Sequence, residues 1–266
     1  MQQTRKTALI TGAGSGLGAA MAHKLAGQDW LILVTDLDAD RAEQTVQQLA
    51  GEGHRSYALN VTDESQWQAL RQDIDERGES LQLLINNAGV ATGGLTGETP
   101  LDDWRWVMDI NVMGVVMGCH YFVDHFRSQA AGHIINVASW AGLAAAPGIA
   151  SYGTAKAAVV SFSEMLRAEL HNAGVEVSVL CPAFVKTDLT STMRAPDDGY
   201  AQRVQRWMEK SGISADDVAD IVLNAVKKPE FLLLTHPETR WQYRIKRWFP
   251  GLYFKMLMRQ MAKMGL

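Results

Sequence analysis

Short apolar runs punctuate the chain at TALIT, LILVT, RSYAL, LQLLINNA, HIINVAS, EVSVLCP and FLLLT. Most lack polar alternation, which predicts strands covered on both faces. Between them lie segments of helical periodicity, such as AAMAHKLAG, DRAEQTVQQLAG and DESQWQALRQDIDERG. Strands alternating with helices imply right-handed βαβ crossovers and so a parallel sheet. The expected fold class is α/β: a doubly wound, seven-stranded parallel sheet in a single domain, with a C-terminal helical extension. No Pro/Ser/Gly linker and no internal repeat divides the chain.

Two stretches break the alternation. TDLTSTMRAPDDGYAQRVQRWMEKSGIS, starting at Thr187, reads as a long excursion with one helical piece. Excursions of this length inside a compact domain are usually functional, so residues 188–213 are expected to form a substrate lid. The second is the tail. Residues 1–235 are expected to form the main domain and residues 236–266 a basic amphipathic extension.

Composition sharpens the picture of the tail more than of the body. The 266 residues are 47% hydrophobic and 20% charged, with a net charge of −4. A slightly acidic chain of this kind has no electrostatic preference for nucleic acid, and none is expected as a partner. The charge is uneven, however. From Lys227 onward nine Lys and Arg face two Glu, a net +7, which leaves −11 on the rest. Lys255, Arg259 and Lys263 recur every fourth residue, and Leu252, Phe254, Met256, Leu257, Met258, Met261 and Met264 fill much of the remaining surface. A basic amphipathic helix suits peripheral contact with an anionic membrane. It also suits packing across a substrate cleft or a neighbouring subunit, which is the preferred reading.

No run of about 18 uncharged apolar residues is present, so no membrane span is expected. The start, MQQTRKTALITG, shows no apolar leader core, and a cytoplasmic location is expected. Cys119 and Cys181 lie in apolar runs and read as buried, inert thiols of a reducing compartment. No His/Cys/Asp cluster has ligand spacing, so no metal is expected.

The first strand runs into Thr11-Gly12-Ala13-Gly14-Ser15-Gly16-Leu17-Gly18 and then a helix. Glycines at a strand-to-helix turn let backbone approach a pyrophosphate, and the helix N-terminus offers free N–H groups to it. LILVT ends at Asp36, 18 residues after Gly18. An acid there accepts hydrogen bonds from the adenosine ribose and repels a 2′-phosphate. That repulsion is worth on the order of 4 kcal/mol at most, roughly a thousandfold in affinity. No Arg or Lys occurs within Gly12–Gly18, and Leu37 follows Asp36, so NAD(H) is expected over NADP(H). Asn60 and Val61, after the third strand, are placed to contact adenine. Asn87, Ala88 and Gly89 close the fourth strand with small residues that leave room for a ligand at the sheet edge.

Ser139 ends the HIINVAS strand. Tyr152 follows 13 residues later and Lys156 four after that. On a helix those two share a face. A neighbouring cation favours phenolate, which is expected to draw the Tyr152 pKa below its ordinary value and into the useful range for acid–base chemistry.

TGAGSGLG (11–18), Asp36, NNAG (86–89), Asn111, Ser139, YGTAK (152–156), Pro182 and Thr187 together resemble the short-chain dehydrogenase/reductase family, in order and spacing over about two-thirds of the chain. The resemblance implies a Rossmann-type fold and an NAD(H)-dependent oxidoreductase acting on CH–OH groups. It implies Tyr152 as the proton-transferring residue, Lys156 as the group that tunes it and holds the nicotinamide ribose, and Ser139 as a hydrogen-bond partner of the substrate oxygen. Asn111 would support a water leading to Lys156. Thr187 would meet the nicotinamide carboxamide, with Val185 beside it. Homodimers or homotetramers, built through helices around residues 103–127 and 151–172, are implied as well.

Ala141, Gly142, Leu143, Ala145 and Ala146, with Phe184, Met193, Trp207 and Met208, point to a hydrophobic substrate: steroid-like, retinoid-like or long-chain. Arg194, Arg203 and Arg206 keep an acidic one open. Two other functions are weighed: a 3-oxoacyl-thioester reductase, and a non-catalytic NAD(H)-binding sensor or scaffold.

Overall fold

The computed structural model describes residues 5–196 and 198–264. Met1–Thr4, where the leader reading begins, Asp197 of the lid and the last two tail residues lie outside the described residues. Seven strands form one sheet: β1 (Thr7–Thr11), β2 (Leu31–Asp36), β3 (Arg55–Ala58), β4 (Leu81–Asn86), β5 (Gly132–Val137), β6 (Val175–Cys181) and β7 (Leu232–Leu234). All pairs are parallel, in the order β3-β2-β1-β4-β5-β6-β7. The doubly wound, seven-stranded expectation holds. The order turns back on itself between β1 and β4, and there the two crossovers leave a crevice at the carboxyl ends of the strands.

Successive strand residues point to opposite faces, so an unalternating apolar run serves two core layers. On one face Leu9, Leu33, Leu84 and Ile134 pack under α3 (Glu64–Glu76), α5 (Gly114–Gln129) and α7 (Ala150–Glu169). Trp67 of α3 and Phe122 of α5 meet there edge-on with centroids 6.4 Å apart, both fully buried. On the other face Ile10, Ile32, Val34 and Ile85 meet α1 (Gly16–Ala26), α2 (Ala39–Gln48) and α9 (Ala215–Lys227).

Polar side chains fix where these helices begin. Asp38 accepts from the Asp40 and Arg41 amides at the start of α2, and Asp63 from those of Ser65 and Gln66 at the start of α3. Ser214 and Asp217 close a reciprocal capping box on α9. Each such cap contributes about 1 kcal/mol.

Between β4 and β5 the helical run is continuous from Leu101 to Gln129, through α4 (Leu101–Met108), a π-helical segment (Asp109–Met113) and α5. Length and mean hydropathy alone would let this run cross a bilayer, a point the expectation of no span overlooked. It is a core helix here: Val107, Val115, Phe122 and Phe126 are buried in the domain. Beyond β5 come α6 (Trp140–Ala144) and α7; beyond β6, a short 3-10 turn (Asp188–Thr190) and α8 (Asp198–Lys210). The tail folds as two helices, α10 (Pro237–Trp248) and α11 (Pro250–Met264).

Candidate active site

The crevice opens into a cavity of about 870 Å³ that runs from the Gly-rich turn, past Tyr152, to a chamber under residues 188–213 and the tail. Its first part is a cradle that only glycine permits. Gly12 has φ +61°, and a Cβ there would lie 2.8 Å from Ala88 Cα. A Cβ on Gly14 would lie 2.8 Å from Asp36 Oδ2. Asn87 braces the turn, donating from Nδ2 to Thr11 O (2.8 Å) and Gly12 O (3.0 Å). Thr11 Oγ1 in turn accepts from the Asn87 and Ala88 amides. The backbone is thus held back from the cavity and the start of α1 faces it, which fits a dinucleotide pyrophosphate.

Of the sequence-predicted cofactor positions, Gly12, Ser15, Gly16, Leu17, Asp36, Leu37, Asn60, Val61, Asn87, Ala88, Gly89, Val185 and Thr187 all line this cavity, with Tyr152 and Lys156. Gly18 does not. It packs behind the turn, where a Cβ would stand 2.3 Å from Gly12 O, so its part is close packing rather than ligand contact. Asp36 accepts from the Gly14 amide (2.9 Å) and the Asp38 amide (3.1 Å), which fixes its carboxylate at the glycine-turn end of the cavity. Arg41 also lines that end, with its Nε 3.5 Å from Asp38 Oδ2. Sequence reasoning missed it because it searched the turn and the residue after Asp36. Arg41 lies one helical turn further, at the start of α2.

β5 ends at Val137, so Ser139 is not a strand residue as expected. It caps α6: its Oγ accepts from the Ala141 amide at 3.1 Å and donates to Pro182 O at 3.4 Å. Tyr152 lies in the first turn of α7, and Lys156 one turn on. Lys156 is almost fully buried and donates to Val137 O at 2.9 Å. Asn111 sits at the centre of the π-helical segment, fully buried and outside the cavity wall. Its Oδ1 accepts from the Val90 amide (2.8 Å) and its Nδ2 donates to Val90 O (2.9 Å). It approaches Lys156 across Gly89, where an added Cβ would lie 3.0 Å from Asn111 Oδ1 and 3.3 Å from Lys156 Nζ.

The electrostatics correct one expectation. Burial raises the Tyr152 pKa; the hydrogen bond from Ser139 lowers it only in part. Burial also depresses Lys156, to about 8. Desolvation disfavours the charged form of each group, and at the phenol it outweighs the Ser139 hydrogen bond. Cys119 and Cys181 are buried and each is pushed up to about 12 by burial, as inert thiols should be.

Beyond Tyr152 the wall is apolar. Trp140, Ala144, Pro147, Ile149, Phe184 and Met193 line it, with Tyr200 and Trp207 of α8. Among the described residues the cavity's charged side chains are Asp36, Asp38, Arg41 and Lys156, at the glycine-turn end or beside Tyr152. Arg194, Arg203 and Arg206 do not line it. Arg194 pairs with Asp103 at 3.1 Å and stacks 3.8 Å over Trp106, and Arg203 lies over Tyr200.

The far side of the chamber is formed by the tail, where Gln242 of α10 and Tyr253, Met256, Leu257, Gln260 and Met261 of α11 line it. The two tail helices form a strap tied to the end of α6: Tyr253 Oη donates to Ala144 O at 2.8 Å, and Lys246 Nζ donates to Leu143 O. Of the two readings of the tail, packing across the cleft is the one this arrangement contains.

Residues 6–198 match the family model of the short chain dehydrogenases. The chain is 32% identical over 252 residues to the "Probable oxidoreductase EphD" of Mycobacterium tuberculosis, covering 91% of this chain but 43% of that protein. It therefore spans less than half the length of that curated relative. A short-chain dehydrogenase/reductase of Burkholderia phymatum, solved in complex with NAD, superposes with a TM-score of 0.84 at 35% identity, covering 93% of this chain and 95% of the other. A serine dehydrogenase solved with NADP+ superposes with a TM-score of 0.80 at 26% identity, covering 88% and 95%.

Proposed function

This chain belongs to the short-chain dehydrogenase family, and is thereby an oxidoreductase; from that premise we propose that it moves a hydride between NAD(H) and an alcohol or carbonyl carbon of a neutral, hydrophobic small molecule. One observation carries the reading. Ser139, Tyr152 and Lys156 converge on a cavity with a glycine-built dinucleotide cradle at one end and an uncharged apolar chamber at the other.

Gly12, Ser15, Gly16 and Leu17 would hold the pyrophosphate, Asp36 the adenosine ribose, Asn60 and Val61 the adenine, and Val185 and Thr187 the nicotinamide end. When bound, the nicotinamide supplies or takes the hydride. The chain's own work is positioning and proton management. Tyr152 Oη transfers the proton at the substrate oxygen. Ser139 Oγ hydrogen-bonds that oxygen and holds it within reach. Lys156 stabilises the phenolate that forms as the proton leaves, a role most effective where water is excluded. Asn111 positions the Gly89–Val90 backbone beside Lys156. The uncharged chamber supports an apolar substrate, since a buried, unpaired charge would be costly there.

Asp36 supports NAD(H) over NADP(H). Arg41 beside it is what keeps a second reading alive, a 3-oxoacyl-thioester reductase working with NADPH. A sensor without catalysis would have no use for the Ser139–Tyr152–Lys156 set. The buried thiols fit a cytoplasmic setting. Exposed Met113 and Met165, on the helices flanking the site, suit a homodimer or homotetramer.

Absorbance at the reduced-nicotinamide band, with both cofactors and a panel of steroids, retinoids, fatty alcohols and small ketones, tests the reading. Turnover of the apolar members with NAD(H) is expected. Preference for NADP(H) and a thioester would establish the second reading. Cofactor binding without turnover of any class would leave the sensor.

A further inference from the structure

α10 and α11 spend their inner faces on the cavity, yet their outer faces are not an ordinary solvated surface. Trp241 and Trp248 stand two turns apart on α10, 44% and 76% exposed. Phe249 and Leu252 protrude at the elbow between the helices, and Phe254 follows on α11, each more than half exposed. None of these five lines the cavity. Cations flank them: Arg240, Arg244 and Arg247 beside the tryptophans, and Lys255, Arg259 and Lys263 along α11. No acidic residue follows Glu238.

We propose that this outer face of the α10–α11 strap docks on an anionic lipid bilayer, with the roof of the cavity resting at the headgroup boundary. Indole and phenyl rings interleaved with Arg and Lys find partners for both halves of their chemistry at that boundary. The charge distribution sets the orientation. Outside the strap the chain carries −10 and is repelled by an anionic surface, whereas the strap, at +6, is attracted to it. A second copy of the chain fits less well. A two-fold contact of this face with itself would set the cations of one strap against those of the other. Reciprocal contacts of each strap with the acidic body of the other chain would form a two-fold pair, and sedimentation velocity separates that outcome from docking on lipid. The docking does not depend on what the substrate is. It does place the chamber beside the phase in which an apolar molecule would be dissolved.

The test is co-sedimentation of the full chain with vesicles of phosphatidylcholine alone, or with about 30% phosphatidylglycerol. Binding to the anionic vesicles is expected, at least tenfold weaker on phosphatidylcholine alone or in about 0.5 M salt. Trp248→Ser with Phe254→Ser should weaken it at least tenfold, while NAD(H) binding, read on the same preparation, shows the fold intact. Equal, weak binding to both vesicle types would overturn the proposal. So would wild-type partition of the double variant, or sedimentation velocity showing a pair of chains that the double variant dissociates.

Discussion

Lys156 Nζ stands 5.9 Å from the centroid of the Tyr152 ring, one helical turn along the same face of α7, with its hydrogen bond spent on Val137 O. The ammonium is close enough to the phenol to feel a change in its charge, and is anchored so that it cannot swing away. Removing the hydroxyl should therefore remove the proton step and leave the cradle alone. Tyr152→Phe is expected to lower kcat by at least a thousandfold, within the range for a positioned acid–base group. The Kd for NAD(H), measured by fluorescence quenching, should move less than threefold. Substantial residual turnover would take Tyr152 out of the mechanism.

The role proposed for Lys156 comes at the expense of stability. Its pKa is about 8 in the folded chain against an ordinary 10.5. Below pH 8 both folded and unfolded chains hold the proton, and the fold carries the full cost of the buried ammonium. Between pH 8 and 10.5 the unfolded chain keeps a proton that the folded chain has released, so that cost is relieved as pH rises. Lys156→Met should abolish turnover and yet be more stable than the parent at pH 7, by roughly 1–3 kcal/mol after the lost hydrogen bond is counted. Urea unfolding should show the gap closing above pH 8. A variant less stable than the parent at pH 7 would contradict this assignment.

The sheet and the cradle were legible because they follow from local pattern. Unalternating runs such as LILVT and HIINVAS mark strands buried on both faces, and glycines with an acid one strand later mark a dinucleotide turn. What was illegible depends on packing between distant segments. Gly18 sits in the glycine motif but faces Gly12 O, away from the cavity. The phenol's pKa depends on how deeply α7 is covered, which spacing cannot report. Arg41 reaches the adenosine end only because α2 starts where Asp38 caps it. The tail's apolar positions were visible, but which of them turn inward was settled by the Tyr253 bond to Ala144 O, between residues 109 apart in sequence.

The proposed preference for NAD(H) rests on the charge balance around Asp36. Its two oxygens already accept from the Gly14 and Asp38 amides, so the carboxylate is fixed rather than free to swing away from a 2′-phosphate. Asp36→Ala with Leu37→Arg should shift the ratio of kcat/KM for NADP(H) over NAD(H) upward by about a hundred- to a thousandfold. Adding Arg41→Ala should return part of that gain, since Arg41 would be the second cation near the new phosphate. An unchanged ratio in the double variant would refute the role given to Asp36.

Acid should unfold the protein partly through His133 at the start of β5. The ring is buried, with Nε2 2.8 Å from Ser178 Oγ, and burial lowers its pKa to about 4 from an ordinary 6.5. Between pH 6.5 and 4 the unfolded chain binds a proton that the folded chain does not, so stability falls as pH falls across that window. The loss from this one group is on the order of 3 kcal/mol. His133→Leu should flatten the acid limb of a stability–pH profile, although it sacrifices a hydrogen bond at pH 7. An acid limb as steep as the parent's would assign the loss to other groups.

The roof should control which substrates are taken. Met256 and Leu257 present apolar side chains to the chamber from α11, outside the stretch that matches the family model. The strap they ride on is pinned to Ala144 O by the buried Tyr253 hydroxyl. Leu257→Ala removes contact with the far end of a long substrate and leaves the reacting end untouched. For a long apolar alcohol the expected cost is about 1–3 kcal/mol in kcat/KM, roughly ten- to two-hundredfold. A small ketone, too short to reach the roof, should be turned over as before. Tyr253→Phe acts differently. It leaves Ala144 O unsatisfied, at about 1 kcal/mol or more, and lets the strap lift. The KM for the long substrate should then rise with kcat nearly unchanged, because the bonds around Ser139 and Lys156 stay in place. Equal losses for long and short substrates in Leu257→Ala would mean that α11 supports the fold without reading the substrate.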